Sequence, residues 1–173
     1  MMNSSVHAGE FTTSLRLQNF KNTYEDARGL FLSHVESLKK TNPEVQTRAL
    51  VIPTHTKEAL AMDVAYLPPK SGQKDRLLIL TSGMHGMEGF VGSALQSQFK
   101  SENFWQLRDE NLGILFVHAI NPFGFKFLRR VSENNVDLNR NFDTQATIFD
   151  LKNEGYANVS SLLNPPDIAG SGW

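Results

Sequence analysis

The first residues that could do chemistry lie in the glycine-rich segment Ser82-Gly83-Met84-His85-Gly86-Met87-Glu88-Gly89. Imidazole nitrogen and carboxylate oxygen are both common ligands of Zn²⁺. His85 and Glu88 are three residues apart, so on a tight turn their side chains can converge on one ion. The three glycines are expected to let the backbone turn sharply and to leave room for a substrate. The other interpretation, a phosphate-binding turn, lacks the signatures GxGxxG and GxxxxGK(S/T).

A second group of polar residues lies in Val136-Asp137-Leu138-Asn139-Arg140-Asn141-Phe142. Arg140 is suited to gripping a carboxylate at two points, and Asn139 can add a donor to the same carboxylate. Arg130 precedes them, with Arg129 before it, and a guanidinium there could stabilise an oxyanion. The other interpretation is a solvated loop with structural salt bridges, which is the usual environment of surface arginines.

Between these groups lies His118, followed by the turn sequence Asn121-Pro122-Phe123-Gly124-Phe125. His118 ends a predicted strand, so it is either a core histidine or a group that supports the site from behind, and the core role is favoured. His7, His34 and His55 are predicted to be surface residues.

The elements that would position these residues follow from hydrophobic spacing. Arg76–Thr81 is a near-continuous apolar run, typical of a strand buried on both faces. A turn, a helix over Phe90–Lys100 and a second buried strand over Asn111–His118 complete a βαβ unit in a mostly parallel sheet. The remaining predictions are two strands and two helices: Gln46–Ile52, Ala61–Leu67, Phe20–Lys40 and Asn153–Leu163.

Composition narrows the classes of function. The chain has 173 residues and a net charge of −1, which favours neither nucleic acid nor an anionic membrane as partner. It has no cysteine, so thiolate metal sites and cysteine nucleophiles are excluded. Residues 1–14 are predicted to be a flexible arm, and residues 15–173 one α/β domain. No signal peptide or membrane-spanning run is recognised, so a cytoplasmic location is the default expectation.

Taken in order, the motifs resemble those of the zinc carboxypeptidases, in particular a poorly characterised bacterial carboxypeptidase-like branch. Three segments carry the resemblance: His85-Gly86-Met87-Glu88-Gly89-Phe90, Asn121-Pro122-Phe123-Gly124-Phe125 and Arg129 through Phe142. The resemblance implies a mostly parallel or mixed sheet with flanking helices, like the N-terminal half of the carboxypeptidase fold.

The same resemblance implies a role for each matching residue. His85 and Glu88 would bind Zn²⁺, and Arg130 would polarise the scissile carbonyl. Asn139 and Arg140 would hold the terminal carboxylate of a peptide substrate. The implied activity is zinc-dependent hydrolysis of an amide bond next to a free carboxylate.

The chain departs from the family pattern after Phe142. No histidine follows, although the family takes its third zinc ligand from that region, and no glutamate matches the family's late general base. The domain is therefore expected to be truncated at its C-terminus. Two alternatives stay open: a zinc amidohydrolase of small N-acyl amino acids, of desuccinylase or aspartoacylase type, and a non-catalytic remnant or carboxylate-binding protein.

Overall fold

A computed structural model describes residues 17–73, 76–142 and 154–163, and these form an α/β fold around one sheet. The four strands are β1 (Gln46–Val51), β2 (Ala61–Leu67), β3 (Arg76–Thr81) and β4 (Leu112–His118), in the order β1-β2-β4-β3. Only β3 and β4 are parallel, while β2 is antiparallel to both of its neighbours. The sheet is therefore mixed, as one of the two predicted forms had it, and it is not mostly parallel.

The helices are α1 (Tyr24–Thr41), α2 (Gly86–Ser101), α3 (Pro122–Lys126) and α4 (Glu154–Leu163), with a short 3₁₀ helix over Phe104–Leu107. α1 begins after Thr23, whose side chain accepts a hydrogen bond from the Asp26 backbone N–H. α2 begins four residues before the predicted Phe90, so His85 is its N-cap. The three glycines near its start lower helix propensity and concealed the first turn in the sequence.

The core lies between the sheet and the two long helices. β4 is central, and its Ile114, Phe116 and His118 are buried on the face that packs against α1 and α2. Phe31 of α1 stacks on the His118 ring, with ring centres 4.9 Å apart. This arrangement confirms the predicted βαβ unit, β3-α2-β4, and fixes where its connecting turns lie.

β3 corrects a prediction. Its side chains are not buried on both faces: Leu77 is 49%, Leu78 36% and Ile79 54% exposed. The reason is position, because β3 forms one edge of the described sheet and pairs there only with β4. An apolar run does not distinguish a central strand from an edge strand. Whether a strand is central depends on the strands that pair with it, and these come from distant parts of the sequence.

His118 is a titratable side chain inside the core. His118 is fully buried, and its Nε2 lies 3.0 Å from the Ser93 hydroxyl oxygen. Burial, aided by the charge of Lys100, lowers the pKa of His118 to about 3, so the ring is neutral near pH 7. The predicted position of His118 in the core is confirmed, while a supporting role at the site stays a hypothesis.

The predicted arm over residues 1–14 lies outside the described residues, as do residues 143–153 and 164–173 of the predicted domain. In the described ranges no helix combines the length and apolar character needed to cross a bilayer.

Candidate functional site

His85 and Glu88 stand where β3 passes into α2. β3 ends at Thr81, and Glu88 lies in the first turn of the helix that begins at Gly86. The His85 side chain is 8% exposed and that of Glu88 is 73% exposed. A carboxylate is favoured at a helix N-terminus, where the backbone N–H groups leave a partial positive charge. The two residues therefore belong to a helix start, which fixes their spacing more firmly than the predicted free turn would.

Both ring nitrogens of His85 face a carboxylate. Nδ1 lies 3.2 Å from Glu88 Oε2, and Nε2 lies 3.0 Å from Asp137 Oδ1. A neutral imidazole has one N–H donor and one bare nitrogen, so it can satisfy only one of the two carboxylates. The other nitrogen and its carboxylate are then both acceptors. A doubly protonated ring, which donates to both carboxylates, resolves this conflict, and so does a cation between the bare nitrogen and its carboxylate. Nitrogen and oxygen donors of this kind fit Zn²⁺.

Asp137 is the residue that sequence reasoning did not place in the site. Its Oδ1 accepts the Asn139 backbone N–H at 2.9 Å, and its Oδ2 accepts Arg130 Nε at 3.0 Å. The hydrogen bond to His85, with those from Asn139 and Arg130, lowers the pKa of the Asp137 carboxyl to about 2. The sequence feature that could have indicated it is the position of Asp137 two residues before Asn139, which was predicted to bind a carboxylate.

Arg130 closes the group. Its guanidinium donates to Asp137, and its Nη1 lies 3.9 Å from Glu88 Oε1. The His85, Glu88, Arg130 and Asp137 side chains thus form one connected cluster, although they come from segments more than 40 residues apart. Arg129 is not part of it, because its guanidinium lies 5.9 Å from the Phe123 ring centre. The oxyanion role predicted for Arg130 rather than Arg129 stays a prediction.

Backbone contacts as well as side chains dock the Arg130 segment against α2. The Gly86 N–H donates to Arg129 O at 2.9 Å, and the Arg129 N–H donates to Gly124 O at 2.8 Å. A Cβ at Gly86 would lie 1.9 Å from Gly124 O. The expectation that this glycine leaves room for a substrate is wrong: the space is filled by the chain itself.

Gly83 has a separate role, because its φ of +66° is a conformation that side-chain-bearing residues rarely adopt. Its carbonyl accepts the Asn121 N–H at 2.8 Å, which joins the turn after β3 to the turn after β4. The Asn121 side chain in turn accepts the Gly124 N–H and begins α3. These bonds bring the predicted Asn-Pro turn to the same sheet edge as His85.

Asn139 and Arg140 are exposed and lie beside the cluster rather than within it. Asn139 is joined to it through its backbone N–H, and the Arg140 guanidinium donates to Asn139 O at 3.1 Å. The structure thus places both near Asp137 and leaves their side chains open to solvent.

Among the described residues, no group of three or more His, Asp or Glu side chains is arranged to hold a metal ion. The reason within the cluster is geometric, since Asp137 contacts the ring nitrogen of His85 that points away from Glu88. Glu88 and Asp137 therefore lie on opposite sides of the His85 ring and do not converge on one point.

Comparison with known proteins gives one match. A family model described as "Protein of unknown function (DUF2817)" matches residues 20–172. No curated protein matches the chain.

Proposed function

The chain belongs to the DUF2817 family, and we propose that it binds Zn²⁺ through His85 and Glu88 and takes part in hydrolysing an amide bond next to a free carboxylate. The observation that carries the proposal is the imidazole of His85 between two carboxylates, at 3.2 and 3.0 Å. The order of the motifs, which resembles that of the zinc carboxypeptidases, supports it.

Asp137 supplies the support that a zinc-binding histidine needs. A ligating histidine usually donates its second ring N–H to a carboxylate, which fixes the tautomer and raises the basicity of the ligating nitrogen. Asp137 Oδ1 occupies that position at Nε2 of His85, which leaves Nδ1 to face Glu88. When bound at such a site, Zn²⁺ lowers the pKa of a bound water and polarises a carbonyl.

The arginines and Asn139 account for recognition. A guanidinium has five N–H donors, and Arg130 uses Nε on Asp137, so its other donors can face a substrate carbonyl oxygen. Asn139 and Arg140 are exposed next to it and can bind the terminal carboxylate. A substrate between these groups would place its last amide bond beside the His85–Glu88 pair.

A second candidate is a carboxylate-binding protein without turnover. It is favoured by one observation, namely that the described residues provide two zinc ligands where catalytic zinc usually has three protein ligands. Both candidates share the recognition residues and differ in whether hydrolysis follows.

Zinc binding is the first test. Calorimetric titration of the metal-free chain with Zn²⁺ should show one site with a Kd below about 1 μM. His85→Gln should weaken binding at least about tenfold, while His55→Gln, a matched change at an exposed histidine, should leave it unchanged. Absence of saturable binding, or equal binding by both variants, would refute the zinc proposal.

Substrate class needs a second assay. Peptides with a free C-terminal carboxylate, the same peptides amidated at that end, and N-acyl amino acids should be compared with zinc present. Hydrolysis only of free-carboxylate peptides supports the carboxypeptidase form, and hydrolysis only of N-acyl amino acids supports the amidohydrolase form. Zinc binding and saturable ligand binding without product would leave the non-catalytic candidate.

A further inference from the structure

Glu133 joins the segment that carries Arg130 and Asp137 to a distant loop. Its Oε1 accepts the Thr54 hydroxyl at 2.9 Å and the His55 backbone N–H at 3.0 Å. Its Oε2 lies 3.2 Å from the same N–H. Hydrogen bonds to an ionised carboxylate are stronger than neutral ones. This contact spans 79 residues of sequence, and it is independent of every contact that His85 makes.

The loop that receives Glu133 is itself held in place. Thr54 Oγ1 lies 3.0 Å from Thr56 Oγ1 and accepts the Thr56 backbone N–H at 3.1 Å. The loop leads into β2 through Leu60, which is 1% exposed and whose carbonyl accepts the Ile52 N–H. Glu133 therefore binds a loop whose two ends are fixed by the sheet.

The segment that contributes Glu133 is a closed turn. The Ser132 N–H donates to Val136 O at 2.9 Å, and the Asn135 N–H donates to Ser132 O at 3.0 Å. Asn135 has a φ of 58°, which suits asparagine better than most residues. Arg130 precedes this turn and Asp137 follows it, so a displacement of the turn moves both residues together.

We propose that Glu133 is a positioning residue that holds the turn over residues 132–136, and with it Arg130 and Asp137, at the distance that His85 requires. Its effect passes through Asp137, which must reach Nε2 of His85. The effect of Glu133 on zinc affinity rests on the proposed function. The contact that Glu133 controls, between Asp137 and His85, exists without metal.

The test uses two measurements on the whole chain. The first is the Kd for Zn²⁺, by competition with a chromophoric chelator. The second is the proton NMR signal of the His85 Nε2–H in the metal-free protein, which a bond to Asp137 shifts downfield and protects from exchange with water. The second measurement reports the positioning itself, and a loss of fold elsewhere in the chain would not produce the same pattern across the variants below.

The variants separate the carboxylate's position from its charge. Glu133→Ala removes every acceptor, and we expect zinc affinity to fall about three- to tenfold and the His85 N–H signal to broaden. Glu133→Gln keeps one side-chain oxygen, and Oε1 alone serves both Thr54 and His55, so it should rescue most of the affinity and the signal. Thr54→Val should give an intermediate loss. Glu36→Ala, which removes an exposed carboxylate on α1, is the matched control and should match the wild type.

If Glu133→Ala keeps both the wild-type affinity and the His85 signal, the inference is wrong. If Glu133→Ala fails to fold, Glu133→Gln and Thr54→Val decide in its place, and wild-type behaviour in Thr54→Val together with loss in Glu133→Gln would overturn it. If the wild type binds no zinc, the proposed function fails, while the His85 signal still tests the role of Glu133.

Discussion

At the scale of single residues, the site is organised by the two ring nitrogens of His85. Each nitrogen faces a carboxylate, and a neutral ring can satisfy only one of them. The Asp137 carboxylate is held by three hydrogen bonds, with His85, Asn139 and Arg130. Glu88 is 73% exposed and carries no comparable set of donors. Glu88 is therefore the carboxylate that we propose as the zinc ligand beside His85.

Asp137→Asn tests the supporting role of Asp137. We expect zinc affinity to fall about 10- to 100-fold, because the amide accepts more weakly from His85 and leaves the Arg130 guanidinium with only the more distant Glu88 as anionic partner. The measurement is the Kd for Zn²⁺ beside a thermal unfolding curve that shows the variant to be folded. Asp109→Asn is the control, since Asp109 pairs with Arg76 at an exposed position. Equal affinity in the wild type and Asp137→Asn would contradict the assignment.

At the scale of elements, α2 is held at its first turn by the chain that follows β4. The Gly86 N–H, which a helix start leaves without an internal partner, donates to Arg129 O. This bond places Arg130 beside Glu88, so the same glycine that begins the helix also sets the distance between two site residues. The short helix α3 fixes the other end of the segment, through Asn121 and the Gly124 N–H.

Gly86→Ala tests this docking. The added Cβ would lie 1.9 Å from Gly124 O and 2.5 Å from Arg129 O, so backbone must move. We expect the free energy of unfolding to fall by about 1–3 kcal/mol or more, and zinc binding to weaken with it. Urea denaturation measures the first effect.

Gly29→Ala is the matched control for that change. Gly29 lies within α1, and nothing lies within 4 Å of a Cβ built there. It should stabilise the protein by about 0.5–1 kcal/mol, because alanine favours helix. If Gly86→Ala behaved like Gly29→Ala, the close approach would not be a constraint.

At the scale of the whole molecule, a lysine lies inside the core between α1, α2 and β4. Lys100 is 4% exposed, and its Nζ lies 4.0 Å from the Phe31 ring centre and 4.8 Å from that of Phe116. Within the described structure Nζ has no hydrogen-bond partner. Burial lowers the pKa of Lys100 to about 7, because the charged form loses its hydration.

Lys100→Met should therefore stabilise the fold near pH 7, by about 2–4 kcal/mol. An unfolded lysine titrates near 10.5 and the folded one near 7, so between these values the unfolded chain binds more protons. The penalty of the lysine is full below pH 7 and fades as the pH rises to 10.5. Urea denaturation at pH 7 and pH 9.5 should show the gain shrinking with pH.

Lys39→Met provides the comparison for that series. Lys39 is partly exposed and pairs with Glu36 one turn away, so its removal should change stability by less than about 0.5 kcal/mol at either pH. A gain in Lys100→Met that did not depend on pH would show that packing, and not charge, is responsible.

Local sequence patterns determined most of the secondary structure of this protein. Apolar spacing located the four strands to within one residue at each end, because burial of one face requires that spacing. It also located the two long helices, although their predicted starts, Phe20 and Phe90, were each four residues from the observed Tyr24 and Gly86. Residue type and spacing also identified His85, Glu88 and Arg130 as candidate site residues. The structure brings the three side chains together. Their roles in zinc binding and hydrolysis stay predictions.

Only the tertiary structure decided which distant segments contact each other. The exposed edge of β3, the entry of Asp137 behind His85 and the filling of the space at Gly86 all depend on which distant segment arrives at each place. Periodicity reports how a residue relates to its own element, whereas these contacts join segments 36 or more residues apart. A chain's local pattern carries no information about such distances, because they are set when the elements pack together.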